Sequence, residues 1–191
     1  MNPAQAARLR EVLLDPAAAA AREVPGSAKA AVLVPLDERD GELYAVFTRR
    51  RADLSRHAGQ ISFPGGRADA RDADLAATAL REAHEEIGLA PSAVTLLGAL
   101  EPVSVRVSGF ALYPFVGAVR RPAAWTPQAA EVDAILELPL ARLAASYAMR
   151  TLERERRRVL TPTFDAGGET LWGATARVLA DHLRRIGLLE R

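Results

Sequence analysis

Three glutamates crowd the stretch Arg81-Glu82-Ala83-His84-Glu85-Glu86-Ile87-Gly88-Leu89, with Arg81 the only strong cation among them. Residues three and four apart are neighbours on a helix surface, so Glu82, Glu85 and Glu86 fall within an arc of roughly 100°. Like charges at that spacing destabilise a helix by about 0.2–0.5 kcal/mol per pair. Arg81, four residues before Glu85, offsets one of them, and Glu82 and Glu86 have no such cation. An acidic helix face is most often simply solvated. It is also the donor set preferred by a hard divalent cation such as Mg²⁺. The chain has no cysteine, and its three histidines (His57, His84, His182) lack metal-ligand spacing, so carboxylates must carry any metal chemistry.

The elements that would hold those carboxylates are legible around them. The opposite arc carries Ala76, Leu80, Ala83 and Ile87, a narrow apolar stripe suited to packing on a sheet. The pattern predicts a helix over about 73–87, N-capped by Asp69 or Asp72 and stopped at Gly88 with Pro91 beyond. Pro3 to about Arg22 is Ala-rich and amphipathic and predicts an N-terminal helix, ending before Pro25-Gly26-Ser27. Ala28 to Pro35 and Leu43 to Thr48 predict strands joined by the charged turn Asp37 to Gly41. After an Arg-rich loop, Gln60 to Phe63 predicts a short strand leading into Pro64-Gly65-Gly66. Further strands are expected at Val94 to Leu100, Val103 to Val107, Tyr113 to Val119 and Glu131 to Leu138, with helices at Ala141 to Tyr147 and Thr170 to Ile186. Strands, a central helix, more strands and a late helix imply a mixed sheet with helices on both faces.

The 191-residue chain is 49% hydrophobic and 26% charged, an ordinary globular composition that suits one domain with extensions. No segment approaches the ~20 apolar residues of a membrane span. Charged residues interrupt Met1 to Ala20, and Leu188 to Arg191 matches no retention tail, so a cytoplasmic protein is expected. The net charge of +1 gives no drive toward nucleic acid or membrane. Nearly all the positive charge is arginine, Lys29 being the only lysine, and arginine forks suit phosphates. The run Glu153 to Arg158 is expected to form a solvated edge strand or turn, with a phosphate-contacting patch as the alternative.

Arg81 to Leu89 resembles the second half of the Nudix box, G-x5-E-x7-R-E-U-x-E-E-x-G-U with U aliphatic; every charged position and the glycine match, and Ala83 is small for its U position. Gly66 stands as the first glycine, with one residue more before Arg81 than the general pattern has and Asp72 as the acid between them. That variant resembles the coenzyme A diphosphatase branch. Upstream, Thr48 to Gly66 resembles that branch's additional motif, L-L-T-x-R-[SA]-x3-R-x3-G-x3-F-P-G-G, with Arg51 at the small-residue position and Ser55 at an arginine position next to Arg56. Leu171-Trp172-Gly173-Ala174-Thr175-Ala176-Arg177 resembles the branch's late W-G-x-T-A-R segment.

The resemblance implies an α/β Nudix fold, an α/β/α sandwich with a central mixed sheet. Residues 1–27 would be a helical extension and 28–191 the Nudix domain. It further implies hydrolysis of the diphosphate bond of coenzyme A and its derivatives to 3′,5′-ADP and a 4′-phosphopantetheine product, with Mg²⁺ or Mn²⁺ as cofactor. Glu82 and Glu86 would be the principal metal ligands, Glu85 a further ligand or water-holder, and the Gly66 carbonyl a possible addition, Gly65-Gly66 letting the backbone approach closely. Arg81 would orient a glutamate, and Arg49, Arg50, Arg51 and Arg56 would contact the substrate's phosphates. The general base is open between Glu85 and a loop carboxylate, Glu131 or Glu153, while His57 and His84 read as surface residues. The alternatives are a diphosphatase for ADP-ribose or another nucleotide sugar, a Nudix-fold ligand-binding module without turnover, and an interaction protein with an acidic helix. Should the chain associate, a homodimer is the assembly to expect.

Overall fold

The structure, a computed structural model, describes residues 1–53, 59–105, 109–154 and 157–190. Its spine is β1 (Ala28–Arg39), buried without interruption from Ala30 to Asp37. Uninterrupted burial marks a strand covered on both faces. Val32, Val34 and Leu36 join one core, while Ala31 and Leu33 join a second core across the sheet. The turn Asp40-Gly41 takes left-handed φ angles of 50° and 83°, the geometry of a tight hairpin, and returns the chain as β2 (Glu42–Arg50).

On its other edge β1 runs parallel to β7 (Phe110–Val119), which pairs antiparallel with β5 (Val94–Ala99) and β6 (Val103–Val105). β2 pairs beyond β1 with β3 (Ile61–Ser62) and β8 (Val132–Pro139). The sheet is therefore mixed, as the order of elements implies. β2 pairs with β1 only over Leu36–Arg39, and β4 (Gly65–Arg67) occupies the neighbouring stretch of that edge at Ala30–Val32. The splayed strands thus admit the Pro64-Gly65-Gly66 turn into the sheet, with the Leu33 amide donating to the Pro64 carbonyl.

One face of the sheet is covered by α2 (Pro16–Ala20) and α3 (Leu75–Ile87). The other carries α1 (Pro3–Val12), α4 (Leu140–Ala145) and α5 (Gly173–Arg185). A second, antiparallel sheet of β9 (Ala148–Arg154), β10 (Arg157–Asp165) and β11 (Thr170–Leu171) lies by α5. Among the described residues no helix is long and apolar enough to cross a membrane.

Three expectations change. The single N-terminal helix is two, because Asp15 caps a new helix at Pro16, whose missing N–H suits a first turn, and Leu14 bridges to Ala99. Asp74, not Asp69 or Asp72, N-caps α3 by accepting from the Ala77 amide. Thr170 and Leu171 pair with β10 instead of opening the last helix. Of the Glu153–Arg158 run, expected as a solvated edge strand or turn, Glu153 and Arg154 end β9 and Arg157 and Arg158 open β10, while residues 155 and 156 lie outside the described residues.

His182 on α5 is wholly buried, and neither ring nitrogen has a hydrogen-bond partner among the described residues. Burial, helped by the nearby Arg185 charge, favours the neutral ring and pushes its pKa down to about 4. The unfolded chain therefore takes up a proton between about pH 6.5 and 4 that the folded chain refuses, and stability falls as pH drops through that window. Urea unfolding at pH 7, 6 and 5 should show His182→Leu losing less stability on acidification than the parent, by up to about 1.4 kcal/mol per pH unit. Parallel profiles would rule this out.

Candidate functional site

α3 presents its carboxylates unequally. Ala79, Ala83 and Ile87 are buried against the sheet, and Glu86, one turn on from Glu82 and beside Ala83 and Ile87, is buried with them. Glu82 is half-buried, whereas Glu85 and His84 face solvent. Gly88 stops the helix at φ 70°, where its amide reaches the carbonyls of Ala83 and His84.

Arg81 ties this face to the loop before it. Its Nε and Nη2 donate to the two oxygens of Asp72 at 2.8 and 3.0 Å, a bidentate fork. Its Nη1 donates to Glu82 at 2.8 Å and to Glu85 at 3.2 Å, and Nη2 also reaches the Arg67 carbonyl at 3.2 Å. Asp72 in turn accepts from the Asp69 amide and the Thr78 hydroxyl. The guanidinium holds the Asp72 carboxyl well below the usual carboxylate range.

Glu86 is served very differently. The Gly65 amide donates to one carboxylate oxygen at 3.2 Å, and the Arg50 Nη1 stands 3.9 Å from the other. Burial pushes its pKa up to about 7, against that amide and with the Glu82 charge adding to the rise. Burial also raises Glu82, against the pull of Arg81. Gly66 lies directly on Glu82: a Cβ there would stand 2.5 Å from the carboxyl carbon.

The arginines upstream separate by strand geometry. Alternation along β2 puts Val46 in the core under α3 and Phe47 in the opposite one, so Arg50 emerges on the α3 side and Arg49 on the other. Arg49 is paired with Asp133 at 2.7 Å and with Glu169 at 2.5 Å. Arg51, beyond the strand, forks onto Asp53 and donates to the Ala129 carbonyl. Arg50 meets Glu131 at 3.4 Å as well as Glu86. Arg56 and His57 lie outside the described residues.

A model of the NUDIX domain matches residues 27–163. A relative named Uncharacterized Nudix hydrolase NudL, from Salmonella paratyphi B, is 38% identical over 164 residues, covering 84% of this chain and 83% of its own length. The chain belongs to the Nudix family. Solved structures agree on the fold: a MutT/nudix family protein from Enterococcus faecalis has a TM-score of 0.57 at 14% identity, over 86% of this chain and 64% of that one. A MutT NUDIX hydrolase from Burkholderia pseudomallei has 0.50 at 19%, over 83% and 98%.

Nudix membership implies a divalent cation, and the donors can be tested against one. A buried carboxylate without a full counter-charge is costly, and Glu86 is such a group with Glu82 beside it. Two carboxylates with waters and substrate phosphates suit Mg²⁺, so the residues fit. Among the described residues no three acidic or histidine side chains form a ready-made cation cage, since Glu85 turns outward to Arg81. Sequence reading named Asp72 as the box acid but missed Thr78, whose hydroxyl steadies it from within the helix; a threonine at a buried helix position was the available signal.

The paired glycines do different work, and alanine separates them. At Gly65 a Cβ would strike the β1 backbone, 2.4 Å from the Ala31 oxygen and 2.6 Å from the Val32 Cα, so Gly65→Ala should cost about 2 kcal/mol in urea unfolding. At Gly66 the three nearest atoms all belong to the end of the Glu82 side chain, so Gly66→Ala should cost under about 1 kcal/mol while displacing the carboxylate and weakening Mn²⁺ binding. Equal losses of stability for the two would contradict this division.

Proposed function

We propose that this Nudix protein hydrolyses the diphosphate bond of coenzyme A and its acyl derivatives, releasing 3′,5′-ADP and 4′-phosphopantetheine or its acyl form. The observation that carries the hydrolytic part is the buried Glu86 carboxylate, undercompensated and next to Glu82 and Gly66. The coenzyme A part is supported by the Thr48–Gly66 segment, whose Arg50 and Gly65 both approach that same carboxylate.

Glu82 and Glu86 would hold Mg²⁺ or Mn²⁺, with Glu85 as a further ligand or water-holder and the Gly66 carbonyl as an additional donor. A bound cation neutralises the diphosphate oxygens and lowers the pKa of water. Arg81 fixes the directions of Glu82 and Glu85 and leaves the substrate to other groups. Arg50 offers its guanidinium to the diphosphate from the α3 side of the sheet. Arg49 and Arg51 reach substrate by exchanging their present carboxylate partners, and Arg56 completes the arginine set. Glu85 and Glu131 are the exposed carboxylates near Glu86 suited to accept the proton of the attacking water. Glu153, on β9, belongs to the second sheet.

Purified protein with Mg²⁺ should cleave coenzyme A in preference to ADP-ribose, NADH and dinucleoside polyphosphates, and Glu86→Gln should lose at least about a hundredfold in kcat while keeping its fold. Preference for ADP-ribose or a nucleotide sugar would replace the substrate but keep the hydrolase. Tight binding without turnover would make the chain a ligand-binding module instead.

The raised pKa of Glu86 gives a second handle. Its folded value of about 7 lies above the ordinary 4.5, so the folded, metal-free protein binds the extra proton between them and loses stability as pH rises through that window. Glu86→Gln should abolish this loss in urea unfolding between pH 5 and 8 without Mg²⁺, and saturating Mg²⁺ should offset it in the parent. A pH profile shared by parent and variant would refute the assignment.

A further inference from the structure

Arg50 differs from Arg49, Arg51 and Arg81. Arg81 is locked by five hydrogen bonds to Asp72, Glu82, Glu85 and the Arg67 carbonyl. Arg49 and Arg51 make contacts of 2.5–2.9 Å to carboxylates away from Glu86. Among the described residues the Arg50 side chain has two long contacts, 3.4 Å to Glu131 and 3.9 Å to Glu86, both through Nη1. Its Nε is buried with no hydrogen-bond partner among the described residues. A charge-assisted bond at full strength runs about 2.7–2.9 Å, so this guanidinium is near two carboxylates without being fixed by either.

Glu131 does not drift into this place. The Gln128 amide donates to the Glu86 carbonyl at 2.9 Å and the Thr126 amide to the Ile87 carbonyl at 3.2 Å, docking the segment on the last turn of α3. The Glu131 amide donates to the Gln128 carbonyl, and its own carbonyl accepts from the Arg51 amide. Backbone bonds on both sides therefore bring a further carboxylate to the guanidinium that, among the described residues, also faces Glu86.

We infer that Arg50 is a built-in competitor of the divalent cation, neutralising Glu86 together with Glu131 and yielding Glu86 to the cation when it binds. This rests on the reading that Glu86 is a metal ligand. A guanidinium beside a cation site repels a doubly charged ion, so cation binding favours the arrangement in which Arg50 turns from Glu86 toward Glu131 or an anion. Linkage makes the effect reciprocal: an anion that engages Arg50 must tighten the cation, and the cation must tighten the anion. Arg50 thus joins metal loading to the arrival of an anionic substrate.

The test is Mn²⁺ binding to the whole chain without substrate at pH 8, read by calorimetry and by the electron paramagnetic resonance signal of free Mn²⁺. Arg50→Gln should bind Mn²⁺ about tenfold more tightly than the parent, the scale of removing one positive charge a few ångströms away. Arg50→Lys, which keeps the charge, should stay within about twofold, and Glu86→Gln should lose binding. Arg50→Met serves the same purpose as Arg50→Gln should the latter fail to fold by circular dichroism. Unchanged or weaker binding in the neutral variants, with Glu86→Gln still deficient, overturns the competitor and leaves the metal site standing. Full binding by Glu86→Gln overturns the metal assignment itself, and this inference with it.

Discussion

The five hydrogen bonds of Arg81 set the terms on which the rest of the site is built. A guanidinium cannot be deprotonated in a protein, and its planar fork fixes direction as well as charge. Here one edge grips Asp72 in the loop ahead of α3 and the other grips Glu82 and Glu85 on the helix. Loop and helix are thereby cross-braced, and the like-charge repulsion on the helix face is absorbed by a cation on the same helix. Glu86, outside that brace, is left buried and poorly compensated. The contrast creates two kinds of carboxylate on neighbouring turns, one directed by an arginine and one held in reserve.

Burial alone could not have produced that arrangement without the splay of β1 from β2. The gap lets Gly65-Gly66 pair with β1 while pressing against Glu82 and Glu86. The same splay leaves the end of β2 to pair with β3 on that edge, while β8 runs along the other edge from Tyr44 to Arg50, and Arg50 comes out on the α3 side of the sheet. Between Arg49 and Arg50 the register with β8 shifts so that Ala134 and Val132 are the partners and Asp133 lies between, where it receives Arg49. Irregular pairing of this kind re-aims side chains at a sheet's functional end.

The central helix, the long strands and the mixed sheet were readable because α3 carries an apolar stripe at helical spacing and β1 is a short apolar run bounded by turn residues. Gly88 was readable as a stop for the same reason, since its left-handed φ is one that few other residues adopt. The β9–β10 hairpin was not, because its strands mix charged residues with Thr161 and Thr163, whose burial depends on partners distant in sequence. The cap of α3 was misplaced by a few residues because Asp69, Asp72 and Asp74 are all chemically able, and only the Arg81 fork decides that Asp72 is otherwise engaged. The box glutamates were recognisable as a group. Their division into an outward Glu85, a half-buried Glu82 and a buried Glu86 follows from which arc meets the sheet, and that needed the packing.

The three consecutive arginines deserve a last consequence. β2 alternates its faces, so only Arg50 of the three can attend to Glu86, while Arg49 and Arg51 serve elsewhere. A substitution at position 50 therefore removes the guanidinium beside Glu86 outright, since Arg49 faces the opposite side of the sheet and Arg51 lies beyond the strand. Three like residues in a row thus meet three different surroundings, and sharing a residue type does not make them exchangeable.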